Sequence, residues 1–253
     1  MVKTERNQQA ALEALRHQLS GKVTSGADLL NEQSHKTTHL STTLKGLNDA
    51  LGGGLSQGQL TEILSPSVSC GGGLVMAELL SQARRERRYA MLLDVGQGFT
   101  PESFPSEDLE SLLWVGCDSA RQAVEVLDVA SRDENFHLFL VDLRDCEPKD
   151  WREVRSNLWY RVIGQLRERE AVCVIFARSA VTTATKQRLE IATKLGLEAM
   201  DVERGTLLER THFQRALGGV GSRDQTGQAG MTTDPPISPP LLPRPCHTYR
   251  RAS

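Results

Sequence analysis

The amino-acid sequence predicts an α/β fold in which a doubly wound, mainly parallel sheet ends in antiparallel C-terminal strands. Short, almost continuously apolar runs alternate with amphipathic helical patterns, an order typical of βαβ units whose sheet is buried on both faces. Because such crossovers are right-handed, the carboxyl ends of the strands share one edge, where ligands usually bind. Five runs predict these strands: Leu60–Leu64, Tyr89–Asp94, Leu112–Val115, His137–Asp142 and Ala171–Phe176.

The segments between the strands carry apolar residues at helical spacing, which predicts helices near 72–87, 119–132 and 148–169. Two further short runs, Arg188–Ile191 and Thr206–Arg210, predict the antiparallel strands at the end of the sheet. In the third helix the predicted apolar stripe consists of Trp151, Val154, Leu158, Val162 and Leu166.

Length and composition indicate one core domain with polar ends. The 253 residues are 39% hydrophobic and carry a net charge of -2, so bulk charge does not indicate a nucleic-acid-binding protein. An N-terminal helix is expected over 1–20 and a polar linker over 21–40, before a core over 41–217. The Pro-rich end, 218–253, cannot pack a core, so we expect a disordered tail, although its Pro-x-x-Pro spacing leaves docking to a partner open. The N-terminal helix carries Ala11, Leu12, Leu15 and Leu19 at helical spacing.

Cysteine and histidine usage predicts reduced thiols and no metal site. The five cysteines are odd in number and never spaced C-x-x-C, which favours the cytoplasm. His35 and His39 lie four apart, but no carboxylate or cysteine completes a ligand set. No apolar run approaches the length of a membrane span, so we expect no contact with a membrane. The cysteines are Cys70, Cys117, Cys146, Cys173 and Cys246.

The segment between the first predicted strand and the first long helix stands where a phosphate-binding loop stands in such a fold. A working loop supplies a lysine for the β- and γ-phosphates and a hydroxyl for Mg²⁺. Glycines hold both places, and no lysine occurs between Lys45 and Lys149. We therefore expect no cofactor, and a tight strand-to-helix turn is favoured over a weak anion site. The loop residues are Ser65, Pro66, Ser69, Cys70, Gly71, Gly72 and Gly73.

Three blocks in order resemble the RecA recombinase family, over about residues 40–195. Thr43–Ile63 is similar to the family's approach to the phosphate loop, Leu112–Arg132 to the strand and helix before Walker B, and Phe136–Asp142 to Walker B itself. The resemblance implies that Asp142 is the retained Walker B aspartate, which in the family acts near Mg²⁺. It also places Gly96 where the family carries its catalytic glutamate, and glycine cannot activate a water. Together with the altered loop, this implies a chain without ATPase activity.

The connections after the fourth and fifth predicted strands, 143–147 and 179–187, are too short for the DNA-binding loops of a recombinase. In this the chain resembles the ImuA/SulA-like branch, whose members accompany error-prone translesion polymerases in the SOS response. The resemblance implies a non-catalytic accessory protein of the DNA damage response that contacts RecA or a translesion polymerase. A DNA-dependent ATPase or recombinase with an unorthodox nucleotide loop is the alternative, and a sequence-independent DNA-binding module is a third.

Basic residues cluster near those two connections. Contacts with phosphates would make DNA binding weak and strongly salt-dependent. Interleaved acids such as Asp145 and Glu147 support a solvated face of alternating charge equally well. Asp142 is expected to bind neighbouring backbone N–H groups more than a metal. The candidate contacts for DNA or a protein partner are Arg144, Arg178, Lys186 and Arg188.

Overall fold

Nine strands lie in the part of the chain that the computed structural model describes, residues 38–185 and 187–216. The first two pair with each other as a small antiparallel ribbon, and the other seven form one sheet. Their bounds are β1 (His39–Leu40), β2 (Leu55–Ser56), β3 (Leu60–Leu64), β4 (Tyr89–Val95), β5 (Leu112–Cys117), β6 (Phe136–Asp142), β7 (Val172–Ala177), β8 (Gln187–Ile191) and β9 (Phe213–Arg215).

Helices cover both faces of the sheet. The helices α1, α2 and α3 lie on one face with α7, and α4, α5 and α6 lie on the other, each group packed on its own apolar cluster. Two 3-10 turns, Pro101–Ser103 and Leu197–Asp201, complete the described elements. The helix bounds are α1 (Lys45–Leu51), α2 (Gly72–Arg85), α3 (Ser106–Leu109), α4 (Ala120–Ala130), α5 (Pro148–Arg152), α6 (Ser156–Arg169) and α7 (Arg204–Glu209).

The sheet order is β5-β4-β6-β7-β3-β8-β9, and every neighbouring pair is parallel except β8 with β9. Strand β3 lies between β7 and β8, so two late strands enclose an early one. All five predicted core strands are present, and the predicted α/β class with a doubly wound, mainly parallel sheet is confirmed.

The end of the sheet differs in detail from the prediction. Arg188–Ile191 falls in β8, which is parallel to β3 rather than antiparallel. The predicted strand at Thr206–Arg210 is wrong, because this segment forms most of α7, and the antiparallel strand is β9 instead. Leu207 is buried and Leu208 is partly buried. Neighbouring residues can share one face of a helix in this way, whereas a strand would direct their side chains to opposite faces.

The long helix predicted over 148–169 is divided into α5 and α6. The chain becomes extended at Arg155, with φ -65° and ψ 133°, and α6 begins afresh after it. The predicted stripe is confirmed at Trp151, Val154, Val162 and Leu166, which are buried, while Leu158 is partly buried against the same cluster. In α6, Trp159 and Ile163 are buried as well and widen this face.

The predicted linker over 21–40 ends too late, because His39 and Leu40 form β1. The Gln57 N–H donates to the Thr38 carbonyl (2.9 Å), which fixes this ribbon at the amino end of β3. The predicted helix over 1–20, residues 21–37 and the tail over 218–253 lie outside the described residues and stay predictions. None of the described helices combines the length and the apolar character that crossing a membrane requires.

Candidate functional site

The loop from Ser65 to Gly71 joins β3 to α2 at the carboxyl edge of the sheet. Gly71 precedes the helix with φ +99°, a backbone conformation that favours glycine. The Leu195 N–H donates to the Ser69 carbonyl (2.8 Å), which ties the loop to the segment that follows β8. Among the described residues no side chain caps α2, which begins with Gly72 and Gly73.

Arg144 lies against the first turn of α2. A Cβ atom added to Gly72 would stand 3.1 Å from Arg144 Nη1 and 2.6 Å from Ser65 Oγ. The Ser65 hydroxyl oxygen is buried and has no hydrogen-bond partner among the described residues. A guanidinium from the end of β6 thus lies against the turn at which the sequence lacks a lysine.

Asp142 holds this guanidinium in place. Arg144 Nε donates to Asp142 Oδ1 (2.9 Å), and Arg144 Nη2 donates to Asp142 Oδ2 (2.5 Å). The Arg144 backbone N–H also donates to Oδ1 (3.1 Å), as expected for an aspartate at a strand end. Such two-pronged pairing is the strongest arginine–carboxylate geometry. Both carboxylate oxygens of Asp142 are therefore bound by the neighbouring arginine.

A second arginine completes a small polar cavity of about 180 Å³ above the loop. Arg178 Nε donates to the Arg144 carbonyl (2.6 Å), and Arg178 Nη2 lies 3.5 Å from Asp145 Oδ1. Each arginine in the cavity wall thus has an aspartate beside it. We call this cavity the polar cavity. Because its arginines are paired with aspartates, it presents little net positive charge to an anion.

The turn after β4 borders the same cavity. Asp94 accepts hydrogen bonds from the Gly98 N–H (3.2 Å), the Phe99 N–H (3.0 Å) and Trp114 Nε1 (3.2 Å). Burial, and then the nearby Asp142, raise the pKa of Asp94. Gly96 has φ +93°, and an added Cβ would stand 3.0 Å from the Asp145 Cβ. This turn therefore disfavours any side chain at position 96, including a carboxylate.

Of the other predicted site residues, Cys70 also lines the polar cavity, whereas Arg188 and Pro66 do not. Arg188 is the second residue of β8, where it forms an ion pair with the fully buried Glu62 and donates to the Thr182 carbonyl (2.7 Å). Only 10% of its side chain is exposed, so little of it is left for phosphate contacts. Cys70 lines the polar cavity as a buried free thiol, and Pro66 is exposed. Lys186 lies outside the described residues.

Sequence reasoning missed a large apolar groove on the other side of the loop, with a volume of about 900 Å³. Its floor is formed by α2 and the turn after β4, and its far wall by residues 195–207. Three of its lining side chains are strongly exposed: Val68 at 87%, Leu197 at 84% and Met200 at 82%. The available signal was the apolar content of 195–202, which no predicted strand or helix accounted for.

The two cavities meet at the start of α2, where Val68 and Arg144 line both. The polar cavity has room for a phosphate group, but its arginines are already in ion pairs with aspartates. The apolar groove has room for an apolar segment of a protein. A scan against protein-family models found no family that matches this chain.

Proposed function

We propose that this chain is a cytoplasmic, non-catalytic RecA-like accessory protein of the DNA damage response. In this proposal it acts in SOS mutagenesis and translesion synthesis through protein contacts with RecA or a translesion polymerase. The observation that carries the proposal is the placement of Arg144, which binds both Asp142 oxygens and lies against Gly72.

This arrangement opposes nucleotide chemistry in two ways. A triphosphate would need the Arg144 guanidinium to leave Asp142, and an unpaired buried carboxylate costs about 3 kcal/mol or more. The loop offers no lysine and no hydroxyl at the positions that hold phosphate and metal, since Gly71 and Gly72 stand there. These features support a RecA-like core that keeps its architecture without hydrolysing ATP.

The ion pairs beside the two short connections also favour a protein partner over DNA. Arg144, Arg178 and Lys149 each lie within ion-pair distance of a carboxylate. The apolar groove, in contrast, exposes large side chains beside the loop, and contiguous exposed apolar surface marks interaction sites.

The absence of nucleotide chemistry is tested on the full chain with Mg²⁺ and ATP. We expect no heat of binding at micromolar protein in a calorimeter and no phosphate release. Hydrolysis that disappears in Asp142→Asn but persists in the exposed variant Arg121→Ala would establish the alternative, a DNA-dependent ATPase with an unorthodox loop. Adding single-stranded DNA to the same assay covers a DNA-stimulated activity.

The accessory role is tested by retention on the immobilised full chain. We expect purified RecA or a translesion polymerase to be retained, and Met200→Asp in the groove wall to reduce that retention about tenfold or more. Val129→Asp is the matched control, because Val129 is 67% exposed on α4, which lies on the other face of the sheet. If neither protein is retained by the wild-type chain, the accessory role fails.

A further inference from the structure

We propose that the apolar groove is the docking site of this chain's own N-terminal segment, residues 6–19, which covers the groove in the free protein. A protein partner of the kind proposed above would have to displace this segment, but the inference itself does not rest on the proposed function. It concerns the groove between α2, the turn after β4 and residues 195–207, and one occupant, the amphipathic helix that the sequence predicts.

The groove has an apolar floor and apolar walls. Leu74 and Ala77 of α2 line it together with Phe99, whose ring stacks against Phe104 at 4.7 Å between centroids. The exposed Leu197 and Met200 form part of the far wall. A helix that carries Leu12, Leu15 and Leu19 on one face supplies the apolar surface that such a groove buries.

The charges around the groove match those of the N-terminal segment. Carboxylates alternate with the lining residues at Glu102, Glu198, Asp201 and Glu203, all of which are exposed. Against these four stand the cations Lys194 and Arg204, since Arg144 is already paired with Asp142. The docking segment, residues 6–19, carries the opposite excess, with one carboxylate, Glu13, and two cations, Arg6 and Arg16.

The chain is long enough to make this contact within one molecule. Thr38 lies at the amino end of the sheet, next to β2, and the groove lies at the carboxyl edge. Strands of five to seven residues place these edges roughly 16 to 23 Å apart. The 18 residues from 20 to 37 can span about 60 Å when extended. A tether of this length gives an effective concentration on the order of 1 mM, which favours the chain's own groove over that of a second copy.

The test measures hydrogen exchange of the amides of residues 195–201 in three full-length proteins. We compare the wild type with Leu15→Asp, which breaks the apolar face, and with Ala10→Asp, which adds the same charge on the opposite face. We expect exchange about tenfold faster in Leu15→Asp than in the wild type, and no change in Ala10→Asp, as weak but tethered binding implies. Equal exchange in all three proteins would overturn the proposal.

A second measurement identifies the molecule that supplies the helix. Benzoylphenylalanine in place of Leu12 is expected to cross-link to residues 195–207 of the same chain, at a yield independent of protein concentration. Cross-links between two chains, with a yield that rises with concentration, would assign the groove to a second copy and reject docking within one molecule. Absence of any cross-link to 195–207 would reject the docking itself, and Met200→Asp should abolish the cross-link while Val129→Asp leaves it.

Discussion

Two cavities that share the start of α2 differ in whether their lining side chains already have partners within the protein. The polar cavity contains arginines and aspartates that already bind each other, at distances such as 2.5 Å from Arg144 Nη2 to Asp142 Oδ2. The apolar groove exposes Val68, Leu197 and Met200 and leaves them uncovered by any described residue.

This difference indicates where binding energy is available. An ion pair that is satisfied inside the protein must be broken before a ligand can use it, whereas exposed apolar area is buried at a gain of about 25 cal/mol per Å². Binding a partner would therefore release more free energy at the apolar groove than at the polar cavity, where the sequence suggests a nucleotide.

The largest expected effect concerns the thiol next to the polar cavity. Burial, and then the carboxylates of Asp150 and Asp142, raise the pKa of Cys146 to about 12, from an ordinary value of 9.0. Because the thiolate is the reactive form, we expect alkylation of Cys146 at pH 8 to be about a thousandfold slower in the folded chain than after unfolding in urea. Mass spectrometry of the labelled peptides measures both rates. Rapid labelling of folded Cys146 would contradict a closed, carboxylate-rich surrounding.

The second effect concerns the arginine of the polar cavity. Arg144→Ala leaves Asp142, whose side chain is 7% exposed, without its cation. We expect the free energy of unfolding to fall by about 2 to 4 kcal/mol, measured by urea denaturation. Arg121→Ala removes half of an exposed i,i+4 pair on α4 and should change the free energy by less than about 0.5 kcal/mol. Similar values for the two variants would mean that the Arg144 pair is not internal.

Alanine substitutions at two neighbouring glycines distinguish the effect of side-chain packing from that of helix propensity. Gly72→Ala would bring a Cβ to 2.6 Å from Ser65 Oγ, and we expect a loss of about 1 to 2 kcal/mol in unfolding free energy. Gly73→Ala meets no atom within 4 Å, so it should stabilise α2 by about 0.5 to 1 kcal/mol. Denaturant titration of both variants measures the difference. If Gly72→Ala also stabilises, the guanidinium is not packed against this turn.

The smallest expected change in stability concerns the groove. Leu197→Ser removes an exposed side chain that contributes little to the described core, so we expect a change within about 0.5 kcal/mol in unfolding free energy. The same substitution should weaken whatever the groove binds, because apolar contacts there are lost. A loss of several kcal/mol in thermal or urea unfolding would instead assign Leu197 to the core.

The sequence allowed the sheet to be predicted because its signal is local. Runs such as Leu60–Leu64 and Phe136–Asp142 carry buried apolar residues on both faces, as expected for a sheet covered on both sides. The elements that were misassigned are short and amphipathic, at Thr206–Arg210 and at the break before Ser156. There the burial of one or two side chains in three dimensions decides between helix and strand, and a single sequence does not contain that information.

The position of the candidate site could be predicted from the sequence, but the contacts between its side chains could not. The missing lysine was visible, and so were Asp142 and Arg144 as separate residues. That the arginine turns back onto the aspartate and against Gly72 depends on the distance between β6 and α2, two elements far apart in the chain. The groove was not predicted for the same reason: the apolar residues of 195–202 were visible in the sequence, but its walls come from three distant segments.

The position of β3 has a consequence for synthesis on the ribosome. Its backbone bonds on both sides go to β7 and β8, which begin more than a hundred residues later. At ordinary rates of translation, β3 waits roughly 5 to 20 s before its first neighbour has been made. A nascent chain cut short before Val172 would keep this strand without either partner, so truncated products should aggregate or depend on chaperones where the complete chain does not.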